Sequence, residues 1–262
     1  MSTAIDRKAA YDKLHETAEL RFPREDYPTF CSWLNVPAVG GLRLLDIACG
    51  QGFFLEAAET ACPQLELDGL DFSATALARS RSRLTRTRLH EASATAMPFP
   101  DASFDYCVNL GSLEHFEDPA AAMREMHRVM KPTAKAMVIV PNQFYLGNIW
   151  RVVAYGETEE QEQEGMTTFR SAGEWTRLFR SCHLDVTGVT PYNGVHHLAW
   201  YFKRRDGAIT EDERRWRATL DTFVKPFIPL ELSQCFAFMI RRQQAAPDAA
   251  DRGGAGTPRN PA

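Results

Sequence analysis

Several marks of secreted, membrane-embedded or polyanion-binding proteins are missing from this sequence. Its six cysteines (Cys31, Cys49, Cys62, Cys107, Cys182, Cys235) form no C-x-x-C pair and no tight metal-ligand spacing, so neither a disulfide scaffold nor a metal site is expected, only reduced thiols. No apolar run approaches the length of a membrane span. The charged start, MSTAIDRKAAYDKLHETAELRF, lacks the apolar core and cleavage site of a secretory signal, which predicts a cytoplasmic protein with no membrane partner. A net charge of −4 gives no global attraction to nucleic acid. No solenoid repeat is visible. What remains is 262 residues, 44% hydrophobic and 24% charged, enough to bury a full core.

From Leu42 onward, short apolar runs alternate with helical patterns. LRLLDI, LELDGLD, TRLHEA, FDYCVNL and AKAMVIV read as strands, with FFLEAAETA, SATALARSRSRL and a helix from Pro119 to Met130 between them. That order predicts an α/β, doubly wound, mostly parallel sheet. A strand near Leu184–Val189, after a helix at Glu174–Ser181, and the run CFAFMIRR bring the count to seven. The domain is expected over 42–244. Residues 1–41 form an N-terminal helical cover, an inserted lid occupies about 141–170, and the Ala, Pro, Gly, Asp and Arg mixture of 245–262 is a disordered tail.

The first strand ends in Asp46-Ile47-Ala48-Cys49-Gly50-Gln51-Gly52, at the carboxyl edge where open α/β sheets bind ligands. Gly50 and Gly52 permit positive φ and let a ligand approach the main chain. Asp71 ends the next strand, near the spacing of about 20 residues at which a carboxylate meets a ribose diol. The third glycine of a dinucleotide fingerprint is replaced by Leu55, which demotes NAD and FAD. Ser73 is placed to cap the following helix.

Asp46 with Ala48, Gly50 and Gly52 resembles the first motif of class I S-adenosylmethionine-dependent methyltransferases. Met97-Pro98-Phe99-Pro100-Asp101-Ala102-Ser103-Phe104-Asp105, Leu113-Glu114-His115-Phe116-Glu117-Asp118-Pro119 and Glu125-Met126-His127-Arg128-Val129-Met130-Lys131-Pro132 are similar to three further segments of that family, in the same order. The resemblance implies a Rossmann-like methyltransferase fold, S-adenosyl-L-methionine as cofactor and a small-molecule substrate. It puts the methionine moiety against Ala48, Gly50 and Gly52, the ribose on Asp71, the adenine against Phe72, Ser93 and Ala94, and the amino-acid end near Asn109 and Leu110. Asp46 either contacts the ligand or orients the turn through backbone hydrogen bonds. The family's usual Gly-Gly after Lys131-Pro132 is Thr133-Ala134 here, a change expected to fall in a surface turn.

For proton removal from an acceptor, His115 is the first candidate, with a backbone-bonded structural histidine as the alternative. His196 or His197 could line the acceptor side, but neighbours on an extended segment face opposite ways, so one at most enters a pocket. Tyr11 could close over the cofactor or simply pack its helix. Acidic residues Glu157, Glu159, Glu160, Glu162 and Glu164 suggest a cationic acceptor or a solvated loop, and Phe144, Tyr145, Trp150 and Tyr155 an apolar wall or an ordinary buried helix.

Secondary-metabolite tailoring is the favoured role, because no obvious amphipathic membrane-docking helix is visible. Quinone or lipid methylation, nucleic-acid methylation and a non-catalytic cofactor-binding module are the rivals. Against nucleic acid stand Asn109-Leu110-Gly111-Ser112, which lacks an "NPPY" shape, and Arg79, Arg81, Arg83, Arg86 and Arg88, which spread around a helix without interleaved aromatics.

Overall fold

The computed structural model describes residues 4–17, 22–156, 170–192 and 228–243. Two helices come first, α1 (Ala4–Thr17) and α2 (Tyr27–Trp33). Then follow β1 (Arg43–Ile47), α3 (Phe53–Ala61), β2 (Glu66–Asp71), α4 (Ala74–Arg81), β3 (Arg88–Glu91), β4 (Phe104–Leu110), α5 (Pro119–Val129) and β5 (Met130–Pro141). After β5 come α6 (Leu146–Tyr155), α7 (Ala172–Ser181), β6 (Leu184–Tyr192) and β7 (Cys235–Arg242). The strands form one seven-stranded sheet in the order β3-β2-β1-β4-β5-β7-β6. The first five are parallel; β7 inserts antiparallel to both β5 and β6. The expected doubly wound, mostly parallel sheet is the one observed.

Side chains on a strand alternate between faces, and in the central strands β1, β4 and β5 both faces are largely buried, which is why those strands read as apolar runs. On one face Val138 and Val140 of β5 join Met123 and Met126 of α5 and Trp175 and Phe179 of α7. On the other, Met137 and Ile139 join Phe30 and Leu34 and the α3 residues Phe54 and Leu55. Between β1 and β4 the winding direction reverses, and the crevice at their carboxyl ends is the switch point where such sheets bind ligands.

Leu55 explains why β2 carries a glycine. A Cβ at Gly69 would lie 2.7 Å from Leu55 Cδ1 and 2.9 Å from Leu89 Cδ2. A dinucleotide fingerprint removes the side chain from the helix at this crossing; here the strand gives way and the helix keeps its leucine.

Two boundaries differ from expectation. Thr133 and Ala134 do not form a surface turn: β5 runs through them from Met130, with a register shift opposite Phe104 and Tyr106, and Ala134 is buried. Neither residue has positive φ, so without Gly-Gly the backbone stays extended. Helix α4 ends at Arg81, before the expected Leu84, where the Ser82 hydroxyl donates to Arg79 O at 2.7 Å.

The expected insertion leaves and returns at one place, since Asn142 and Arg170 form an isolated parallel bridge. Its described part includes α6, which leaves Trp150, Val152 and Val153 exposed, an apolar surface the sequence reading did not single out. His196, His197, the acidic residues 157–164 and the tail 245–262 lie outside the described residues.

Candidate active site

The turn after β1 is built from backbone that resists side chains. Ala48, Gly50 and Gly52 have φ of +58°, +53° and +77°. Left-handed backbone at a non-glycine costs energy and gathers at ligand-binding turns, and Ala48 is such a residue. A Cβ at Gly52 would stand 3.0 Å from both Ser80 Oγ and Leu84 Cδ1.

Asp71 holds this turn. Its Oδ2 accepts the Gly50 N–H at 2.8 Å and its Oδ1 the Ser73 N–H at 2.9 Å. Burial pushes its carboxyl up to about 6, while the amides of Ser73, Gly50 and Phe72 oppose that rise. A carboxylate offers about four acceptor positions, so the bonds to the Gly50 and Ser73 amides leave capacity for a further donor. Asp46, one strand over, is buried and raised well above the ordinary carboxylate range, first by desolvation and then by Asp71. Cys49 N–H donates to Leu70 O and Gly52 N–H to Cys49 O, so the turn's amides at 49, 50 and 52 are committed elsewhere than to Asp46. Ser73 caps α4 as expected, accepting from Ala76 N–H at 3.1 Å.

Helix α1 crosses the carboxyl ends of β2 and β3 and closes the turn from above. Asp12 bonds the Ser73 hydroxyl and accepts the Thr75 N–H at 3.3 Å. Lys8 pairs with Glu91, and Arg79 donates to Glu16 O at 2.6 Å. His15 is buried with its basicity lowered by desolvation, and its Nδ1 lies 3.2 Å from Gln51 Nε2, next to Gly50. The Tyr11 ring meets Phe72 edge-on at 5.4 Å and His115 at 6.4 Å. Tyr11, Phe72 and His115, candidates far apart in sequence, are thus brought together.

The other predicted residues divide. Asn109 is fully buried and its amide is committed: Nδ2 donates to Ile47 O at 2.9 Å and Oδ1 accepts the Leu113 N–H at 3.1 Å. It ties the ends of β1 and β4 together. Ser93 is exposed, with Oγ 2.8 Å from Thr95 Oγ1, and Ala94 packs partly against the core. His115 closes a 3-10 turn, Leu113–His115, and burial lowers its basicity, so its imidazole is neutral near pH 7.

Sequence reasoning missed Glu114. Its side chain is buried and desolvation pushes its carboxyl up to about 8; Oε1 lies 3.8 Å from His115 Nε2, and Oε2 has no hydrogen-bond partner. The acid stood inside a quoted motif, but nothing local distinguishes a buried glutamate from a solvated one. The remaining motif residues are architectural. Arg128 donates to Phe99 O, Met97 O, Asp101 and Glu125, fastening the 97–105 loop to α5, and Lys131 donates to Asp105 at 2.7 Å.

The arginine run is largely consumed within the fold. Arg83 lies 3.9 Å over the Phe53 ring, Arg86 donates to three backbone carbonyls, and Arg88 bonds Asp68 and Glu66.

Comparison with known proteins finds related chains. Residues 45–138 match the family described as a methyltransferase domain. A Mycobacterium tuberculosis protein named as a probable S-adenosylmethionine-dependent methyltransferase is 35% identical over 100 residues, 38% of this chain and 36% of that protein's length. The match thus spans only about a third of that relative. A demethylmenaquinone methyltransferase of Geobacillus kaustophilus is 27% identical over 219 residues, 75% of this chain and 93% of the relative. An S-adenosylmethionine-dependent methyltransferase structure from Mesorhizobium loti superposes with a TM-score of 0.56 at 19% identity, covering 83% of this chain and 97% of that one; it shares the fold.

Proposed function

We propose that this chain, a member of the class I S-adenosylmethionine-dependent methyltransferase family, transfers a methyl group from S-adenosylmethionine to a small-molecule acceptor. The observation that carries the reading is Asp71: a buried carboxylate at the end of β2 that fastens the positive-φ turn through Gly50 and retains acceptor capacity beyond its backbone bonds. The turn takes the methionine moiety, Asp71 the ribose and Phe72 the adenine, with Ser93 and Ala94 at the adenine edge. When bound, the cofactor supplies an electrophilic methyl on a positively charged sulfur. The chain's part is to hold the reactants in line, and α1 excludes water by covering the turn. His115 accepts a proton from the acceptor in this reading, which its contact with Tyr11 and its lowered basicity support.

Tailoring of a soluble metabolite and methylation of a quinol or other lipid-soluble acceptor both fit this chemistry. The second gains support from the exposed apolar residues of α6 and from the Geobacillus relative. Nucleic acid is disfavoured because Arg79, Arg83, Arg86 and Arg88 are engaged internally. No helix among the described residues is long and apolar enough to cross a membrane. The test is incubation with methyl-labelled S-adenosylmethionine and either prenylated naphthoquinols or unprenylated phenols, read by mass spectrometry. Label in one product class assigns the acceptor. Cofactor binding without transfer to either class, or to amine and thiol controls, would favour the non-catalytic module.

A further inference from the structure

Glu114 sits in the 3-10 turn Leu113–His115 that follows β4, beside Gly111. A Cβ built on Gly111 would touch Phe22 Cζ at 2.9 Å and come within 3.9 Å of Glu114 Oε1, so aromatic ring and carboxyl flank the same glycine. Phe22 in turn packs edge-on against Tyr192 at 5.5 Å. His115 Nε2 stands 3.8 Å from Glu114 Oε1, and on β7 the Cys235 thiol is close enough for Glu114 to raise its pKa. Among the described residues no lysine or arginine pairs with Glu114, and its Oε2 is buried without a hydrogen bond. A buried polar atom left unsatisfied is costly, so it marks a place where a ligand completes the bonding.

We propose that Glu114 is a catalytic residue that grips the oxygen of a flat phenolic or enolic acceptor, with Phe22 along the ring and His115 taking the hydroxyl proton. This rests on the methyltransferase reading above. Glu114 is protonated at neutral pH, because burial raises its carboxyl to about 8, and it therefore donates a hydrogen bond to the acceptor oxygen. Burial lowers the basicity of His115, which favours the neutral imidazole as the group that receives the proton. The site thus carries no net charge and suits an uncharged aromatic hydroxyl better than an ammonium. As the acceptor's electron pair forms its bond to the methyl carbon, the carbon–sulfur bond breaks with its electrons going to sulfur. The hydroxyl proton passes to His115, so the positive charge lost at sulfur reappears on the imidazolium.

The test uses the full chain saturated with S-adenosylhomocysteine and 1-naphthol as probe, followed by fluorescence. Wild type binds the naphthol saturably at one site. Glu114→Ala weakens it about tenfold, the order of one lost hydrogen bond, and Glu114→Gln stays within about threefold because its amide still donates. Difference infrared spectra of wild type minus Glu114→Gln show a protonated carboxyl at pH 7 whose carbonyl stretch moves to lower frequency when naphthol is added. That shift reads a direct bond even if Glu114→Ala does not fold. Unsaturable naphthol binding in wild type, equal binding by a folded Glu114→Ala, an unmoved carboxyl band, or tighter binding of benzylammonium would each overturn the proposal. Failure of wild type to bind S-adenosylhomocysteine would instead overturn the methyltransferase reading.

Discussion

A single methyl added at Gly69 decides whether α3 keeps its seat on the sheet. The new Cβ would collide with Leu55 Cδ1, Leu89 Cδ2 and Cys49 Sγ, all within 3.0 Å. Overpacking of this kind costs about 1–3 kcal/mol. Gly69→Ala is expected to lose that much in urea unfolding, and the loss to shrink in a Leu55→Ala background, because the two substitutions share one contact. Additive effects would contradict the account. Residues of this scale were unevenly legible. Gly50, Gly52 and Asp71 could be read because a strand, a turn and a spacing bracket them, whereas Gly69 and Glu114 depend on neighbours far along the chain. Asn109 lay within reach of the site by position, but its amide serves the backbone of β1 and the 3-10 turn, a commitment no local pattern reveals.

Among the elements, the loop joining α4 to β3 is held by one carboxylate. Glu59, on α3, accepts the N–H groups of Thr85, Arg86 and Thr87 and the hydroxyls of both threonines. Those bonds outweigh partial burial and hold its carboxyl at about 2, below the ordinary 4.5. A group whose pKa falls on folding stabilises the native state above its unfolded pKa and loses that contribution as pH drops through its folded value. Glu59→Gln is therefore expected to cost about 1–2 kcal/mol at pH 7, after allowance for solvent screening. Chemical denaturation should show the gap between wild type and variant closing from pH 4.5 toward pH 2. A gap independent of pH would assign the cost to packing. Element existence was well marked in the sequence, down to CFAFMIRR as β7. What escaped was pairing direction at the sheet's end and the extension of β5 through Thr133 and Ala134, both set by neighbours in space.

At the scale of the molecule, the described residues of α1 make polar contacts at the ligand end: Asp12 to Ser73, Lys8 to Glu91, Arg79 to Glu16 and His15 to Gln51. Contacts of this sort open easily unless a ligand beneath them is bound. Amide hydrogen exchange over 4–17 should slow on saturation with S-adenosylhomocysteine, while the central strands β4 and β5 change little. Exchange in α1 that ignores the ligand would separate this helix from the site. The sequence offered α1 as a cover and named Tyr11, but not Asp12 or His15, since a polar helix gives no sign of what lies under it.

The central claim is that the β1 turn and Asp71 hold S-adenosylmethionine. Calorimetric titration of the wild type and Asp71→Ala with S-adenosylhomocysteine tests it most directly. Saturable binding should weaken by about 1–3 kcal/mol in the variant. In the wild type alone, binding should also weaken as pH falls through about 6, where Asp71 takes up its proton. Equal affinity in both proteins, or none in the wild type, would contradict the account.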